Sequence, residues 1–290
     1  MLYLPQGLPI ADTLRREGYA IGHYDIHAPF TAHADHTVLL LNLMPEKEVT
    51  ELDFARVLAS IPARVRLVLA KFRVQTFKTT PMEHMNAYYV DVESLVSEHF
   101  THMIVTGAPL EQMPFEYVRY WPQLTRTMDW ARRTIARSLY ICWGAQAALY
   151  HFYGIQKHGL PEKRFGIFPQ RVTAQAAHLL DGLYPSFLMP NSRHTEVTHA
   201  EVEAAIGAKA RIVAEGEESG VGIVAEPDLK SVFVVGHLEY EPLTLDKEYR
   251  RDLAKHLPIH APEHYYAHDG SVPHSWKADA LRFYYNWMSK

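Results

Sequence analysis

Short, mainly apolar runs alternate along this chain with stretches of helical periodicity, and that alternation limits the folds open to it. Residues 38–43, 65–72, 103–105 and 138–141 read as strands with no polar face. Residues 50–60, 81–90, 92–100 and 122–137 read as helices, with Thr50 as N-cap of the first. A strand that is apolar on both faces needs cover on both, and intervening helices supply it. The pattern therefore predicts an α/β fold, a mostly parallel sheet flanked by helices. Residues 211–215, 221–225 and 232–235 read as further strands, joined by turns rich in Gly, Glu and Asp, that extend the sheet in antiparallel fashion. Residues 276–288 read as an aromatic-rich closing helix, its rings packed in the core or against a second copy. No repeat, low-complexity segment or linker divides the 290 residues, so a single domain is expected.

Composition removes several classes of function. The net charge is -4 and no basic block occurs, which argues against nucleic acid as a partner. The 18 histidines are scattered, without the paired spacing of a metal site, so no metal is expected. One cysteine excludes an internal disulfide and fits a reducing cytoplasm. Met1-Leu2-Tyr3-Leu4-Pro5 has no basic start and no long apolar run, so no signal peptide is expected. No stretch approaches the roughly 20 apolar residues that span a membrane.

That cysteine, Cys142, stands between the apolar run 138–141 and a helical stretch opening with Trp143-Gly144-Ala145-Gln146. A residue in such a turn presents its side chain beyond the strand's C-terminal end. The helix N-terminus favours a thiolate and offers N–H groups to an oxyanion. A lone cysteine is otherwise most often an inert core residue, so the neighbouring strand ends carry weight. In a parallel sheet, ligands bind beyond those ends. Three further ends are notable: Met44-Pro45-Glu46-Lys47, Thr106-Gly107-Ala108-Pro109-Leu110-Glu111 and Gly236-His237-Leu238-Glu239. His237 alone would be a surface-loop histidine. Paired with Cys142 it can take the proton of a thiol or an incoming hydroxyl, while Glu239 holds its tautomer.

Together these segments resemble the MetA family of homoserine O-acyltransferases. The residues that carry the likeness are Leu41-Asn42-Leu43-Met44-Pro45, Lys47, Thr106-Gly107-Ala108-Pro109, Tyr120-Trp121, Ile141-Cys142-Trp143-Gly144-Ala145-Gln146-Ala147, Ser192-Arg193, and Gly236-His237 with Glu239-Tyr240. The likeness runs in order from about residue 36 to Asn286-Trp287. It implies a flavodoxin-like fold similar to the class I glutamine amidotransferases. The implied organisation is one acyltransferase domain over residues 1–290, with residues 1–36 as an N-terminal extension. The implied activity moves an acyl group from acyl-CoA to the hydroxyl of an amino acid through a Cys142 thioester, with His237 as base and Glu239 as support. The resemblance also implies substrate contacts from Lys163, Ser192 and Arg251, the last holding a carboxylate, and a contact near the site from Lys47. It makes Glu111 the residue that selects acetyl over succinyl donors. The implied reactants are acetyl-CoA as co-substrate, with no bound cofactor, and homoserine as acceptor, with serine as the alternative. A cytoplasmic homodimer in methionine or cysteine biosynthesis is implied as well. A glutaminase-type hydrolase fits less well, because amidotransferases resemble Gly-x-Cys-x-Gly and Tyr140 occupies the first of those positions. Departures from the family pattern fall at Asp53, Asn191 and Phe168-Pro169-Gln170.

Overall fold

The computed structural model describes residues 1–289. In chain order the elements are β1 (Leu2–Pro5), α1 (Ile10–Arg16), β2 (Ile21–Tyr24), β3 (His36–Leu41), α2 (Lys47–Ala59), β4 (Val65–Lys71), α3 (Met82–Tyr88), β5 (Tyr89–Asp91), β6 (His102–Val105), α4 (Trp121–Thr134), β7 (Arg137–Ile141), α5 (Trp143–Tyr153), β8 (His158–Val172), β9 (Ser186–Glu196), α6 (His199–Ile206), β10 (Arg211–Gly216), β11 (Gly220–Ala225), β12 (Ser231–Val234), α7 (Thr244–Ala254) and α8 (Lys277–Met288). All twelve strands join one sheet in the order β2-β1-β4-β3-β6-β7-β12-β11-β10-β8-β9, with β5 paired to β4. From β2 to β12 the pairing is parallel, and from β12 onward it is antiparallel.

The apolar runs behave as their composition requires. Along β3, Val38 and Leu40 face one core layer with Phe54 and Trp287, while Leu39 and Leu41 face the other with Trp130 and Trp143. Side chains alternate across a strand, so a run without polar residues buries both faces. No described helix is long and apolar enough to cross a membrane.

Several elements differ from the sequence reading. The run 232–235 does not belong wholly to the antiparallel part: β12 lies parallel to β7, with Val234 opposite Ile141. Its unbroken apolar character is the parallel-strand signature. The segment 81–90 divides into α3 and β5, because Tyr89–Asp91 finds open backbone on β4. Residues 92–100 form only a single 3-10 turn at Val92–Ser94. Helix α2 starts at Lys47, so Thr50 is inside it rather than capping it. Residues 1–36 contribute β1 and β2 at the sheet's parallel edge.

The order β3-β6-β7-β12 decides where chemistry can occur. These four strands are neighbours and run in one direction. Their C-terminal ends therefore lie side by side and carry Met44, Gly107, Cys142 and His237 respectively.

Candidate active site

Cys142 occupies the turn between β7 and α5 with φ 50° and ψ -117°. That left-handed backbone is costly for a residue with a Cβ, on the order of 1–3 kcal/mol, and its surroundings hold it there. The Cys142 N–H donates to the Val234 carbonyl at 2.8 Å, and its own carbonyl accepts the first helical bond from the Gln146 N–H at 3.1 Å. Gly144 permits the close approach of helix to sheet: a Cβ there would stand 2.6 Å from the Thr106 carbonyl oxygen and 2.9 Å from that of Val105. At Gly107 a Cβ would meet the Cys142 Cβ at 3.3 Å, so a side chain there would press on the thiol. The N–H groups of the first turn of α5 have no partner within the helix and surround the thiol's end of it.

His237 follows β12 and is buried. Its Nδ1–H donates to Glu239 Oε1 at 2.6 Å, which leaves the other ring nitrogen for the thiol of Cys142, with which the ring shares the cavity. Its ring stacks on Tyr240 at 4.0 Å and 14°. Burial opposes a charged imidazole, but Glu239 and Cys142 outweigh it and hold the histidine well above its usual range. The second Glu239 oxygen is buried without a hydrogen-bond partner. Asp53 stands in the field of Glu239; burial first, and that carboxylate second, push its carboxyl well above the usual range.

The thiol opens into a cavity of about 170 Å³. Six of the residues singled out from the sequence line it: Glu111, Cys142, Lys163, Ser192, His237 and Arg251. Glu239 stands behind His237 and does not line it. Lys47 does not line it either. Its Nζ donates to the Asn42 carbonyl at 2.7 Å and sits 5.3 Å from the Phe77 ring centre, beside a separate groove. Burial lowers the Lys47 ammonium to about 7.

Glu248 is the residue that sequence reasoning missed. It accepts from Ser192 Oγ at 2.5 Å and from the Tyr240 hydroxyl at 3.2 Å, and it pairs with Lys163 at 3.4 Å. The available signal was its spacing: it lies three residues before Arg251 on α7, on the same helical face. Arg251 donates through Nε to Asp252 at 2.8 Å and stays part-exposed at the cavity. Glu111 accepts the His194 N–H at 3.1 Å through one oxygen, while the other is buried without a partner. Burial raises its carboxyl, against the pull of that N–H and of Arg193.

The departures from the family pattern divide by location. Asn191 accepts from the buried Arg193 at 3.2 Å, and Gln170 donates to Ser219 at 2.7 Å, whose carbonyl also receives Arg193. Both support the wall of the site from behind. Asp53 lines a neighbouring cavity of about 170 Å³ that shares Tyr240, Glu248 and Arg251 with the first. Among the described residues, one group of metal-ligand atoms clusters, at Glu218, Glu263 and His264; it is exposed and lines no wall of the thiol's cavity.

A buried thiol with a hydrogen-bonded imidazole, a carboxylate behind that imidazole and a helix N-terminus in front is equipped for acyl transfer through a thioester. The Arg251 guanidinium and Glu248 carboxylate, presented to the cavity together by α7, suit a zwitterion.

Comparison with known proteins agrees in scale. The family model described as homoserine O-succinyltransferase matches residues 1–290. A protein of Phocaeicola vulgatus named homoserine O-acetyltransferase is 40% identical over 99% of this chain and 94% of its own length. One of the same name from Desulfitobacterium hafniense is 38% identical over 99% and 93%. Among solved structures, a glutamine amidotransferase from Methylobacillus flagellatus aligns with a TM-score of 0.57 at 12% identity, covering 87% of this chain and 93% of that one. The last likeness is one of fold alone.

Proposed function

The chain belongs to the homoserine O-succinyltransferase family, and on that premise we propose that it moves an acetyl group from acetyl-CoA to the side-chain hydroxyl of L-homoserine through a thioester on Cys142, a step of methionine biosynthesis. The observation that carries this reading is the Cys142–His237–Glu239 set facing a cavity that also holds Arg251, Glu248 and Lys163.

In the first half-reaction His237 takes the thiol proton and Cys142 attacks the thioester carbon. The oxyanion forms against the first N–H groups of α5, and the CoA sulfur leaves with the proton from His237. In the second, Arg251 holds the carboxylate of homoserine and Glu248 its ammonium. His237 removes the hydroxyl proton, the oxygen attacks the acyl-thioester, and the Cys142 sulfur leaves. Lys163 and Ser192 are already bonded to Glu248 and fix its direction. Glu111 closes the acyl side with a carboxylate, which suits acetyl and opposes a second carboxylate such as that of succinyl. The Asp53 departure beside Arg251 and Glu248 keeps L-serine, one methylene shorter, as the second acceptor to test.

Brief mixing with acetyl-CoA alone adds one acetyl mass to the intact protein, and Cys142→Ala removes both that adduct and turnover. Crossing acetyl-CoA and succinyl-CoA with homoserine and serine, scored by CoA release, gives acetyl-CoA with homoserine as the fastest pair. Normal turnover by Cys142→Ala would refute the thioester route.

A further inference from the structure

Two larger spaces adjoin the thiol's cavity, and they differ in charge. One, of about 970 Å³, shares Glu111, Lys163 and His194 with it. That space carries the carboxylates of Glu111, Glu116 and Glu162, and its lysines are engaged. Lys157 donates to the carbonyls of Leu110, Glu111 and Met113, and Lys163 pairs with Glu248.

The other, of about 390 Å³, is a mainly apolar groove between the 74–78 loop and the 113–120 segment. It shares Met44, Pro45, Ala108 and Pro109 with the thiol's cavity. Lys47, Lys78 and Arg119 line it, and no aspartate or glutamate does. Lys78 and Arg119 are exposed and, among the described residues, make no hydrogen bond or ion pair. Unpaired cations at the rim of a narrow apolar groove fit a long, thin chain that ends in phosphates. Gln75 and Thr76 add polar groups along the wall for amides.

We propose that this groove receives the pantetheine arm of the coenzyme A thioester, with Lys78 and Arg119 holding its phosphates, while the acceptor reaches the same thiol from the Lys163–Arg251 side. The assignment rests on the acyl-CoA reading above and adds where the donor lies. The neighbouring cavity sets three carboxylates against two lysines that are already engaged, so it offers several phosphate charges no free lysine or arginine.

The test compares two donors and one ligand. Titration calorimetry measures CoA binding to the wild type, to the double variant Lys78→Glu with Arg119→Glu, and to Gln156→Glu in the acidic cavity. Kinetics compare acetyl-CoA with acetyl-pantetheine, which lacks the nucleotide and its phosphates. Both charge-reversed positions are exposed, and circular dichroism checks that the double variant is folded. The expected result is a loss of roughly tenfold or more in CoA affinity and in kcat/KM for acetyl-CoA in the double variant. Acetyl-pantetheine turnover and the Gln156→Glu protein stay as in the wild type. An unchanged double variant, equal loss with both donors, a selective loss in Gln156→Glu, or no CoA binding by the wild type would each overturn the groove. Wild-type protein that binds CoA through Lys78 and Arg119 but never acetylates Cys142 would overturn the acyl-transfer reading and leave the groove standing.

Discussion

Glu239 gives one oxygen to His237 and has no partner for the other, so its main electrostatic work is on that imidazole. The sign of the linkage follows from the raised histidine. Its stabilising contribution is full below the ordinary value of 6.5 and is lost as pH rises through the higher folded value. In Glu239→Gln much of that attraction is gone. The Tm of the wild type should therefore exceed that of the variant most clearly below pH 6.5, and the gap should close as pH rises. A gap that widens with pH would show that His237 is not the group responsible. Glu111 permits a second test at this scale. Two carboxylates about 4 Å apart repel by roughly 1 kcal/mol in water and several-fold more in a partly dry pocket. Glu111→Gly removes charge and bulk, and the succinyl-CoA to acetyl-CoA ratio of kcat/KM should rise about tenfold. Single residues were legible in the sequence where the chemistry is local. Cys142, His237 and Glu239 stand at strand ends that the apolar runs mark out. Glu248 was not, because one carboxylate on a largely exposed helix of mixed charge announces nothing until Ser192 and Tyr240 arrive from elsewhere in the chain. Nor was the inward turn of Lys47, which depends on what α2 packs against.

The β7–α5 unit shows how an element can be fixed by a missing side chain. Gly144 brings the first turn of the helix against the backbone of β6 and the loop after it, with no flexible side chain to give way. Gly144→Ala should cost about 1–3 kcal/mol by overpacking and lower the rate of Cys142 acetylation as the elbow moves. Urea unfolding with a parallel acylation assay measures both, and a variant as stable and as active as the wild type would contradict the packing described. Elements with a strong, uninterrupted pattern were legible, among them β3, β4, β7 and the closing helix α8. The long hairpin of β8 and β9 was not. Its strands include Pro161, Pro169 and Pro190 and alternate poorly, so no strand signal is legible in the sequence there, yet together they make ten register pairs. The α3–β5 boundary was hidden for another reason: pairing to β4 outweighed a helical period that runs straight through Tyr89.

At the scale of the whole molecule, the thiol lies where several surfaces converge, with Arg251 and Glu248 brought by α7 from one side. The two half-reactions can therefore be damaged separately. Arg251→Ala should raise the KM for the amino acid by roughly 10–100-fold, the scale of a lost hydrogen bond to a charged group. Acetylation of Cys142 by acetyl-CoA alone should proceed at nearly the wild-type rate. Stopped-flow acylation beside steady-state kinetics separates the two, and equal loss in both would place Arg251 in the donor's path. The overall architecture was legible because continuous apolar strands admit few arrangements. The union of residues 1–36 with the sheet was not, since β1 and β2 are only four residues each and gain their cover from α1 and β4.

The adjacency of β7 and β12 also has a meaning in time. A ribosome delivers Cys142 with β7, then α5, the β8–β9 hairpin, α6, β10 and β11, before β12 brings His237. Until that last parallel strand docks, the thiol has neither its base nor the Val234 carbonyl that anchors its turn. On the proposed mechanism, the nascent chain thus carries its only cysteine without the machinery that would arm it until the sheet is complete.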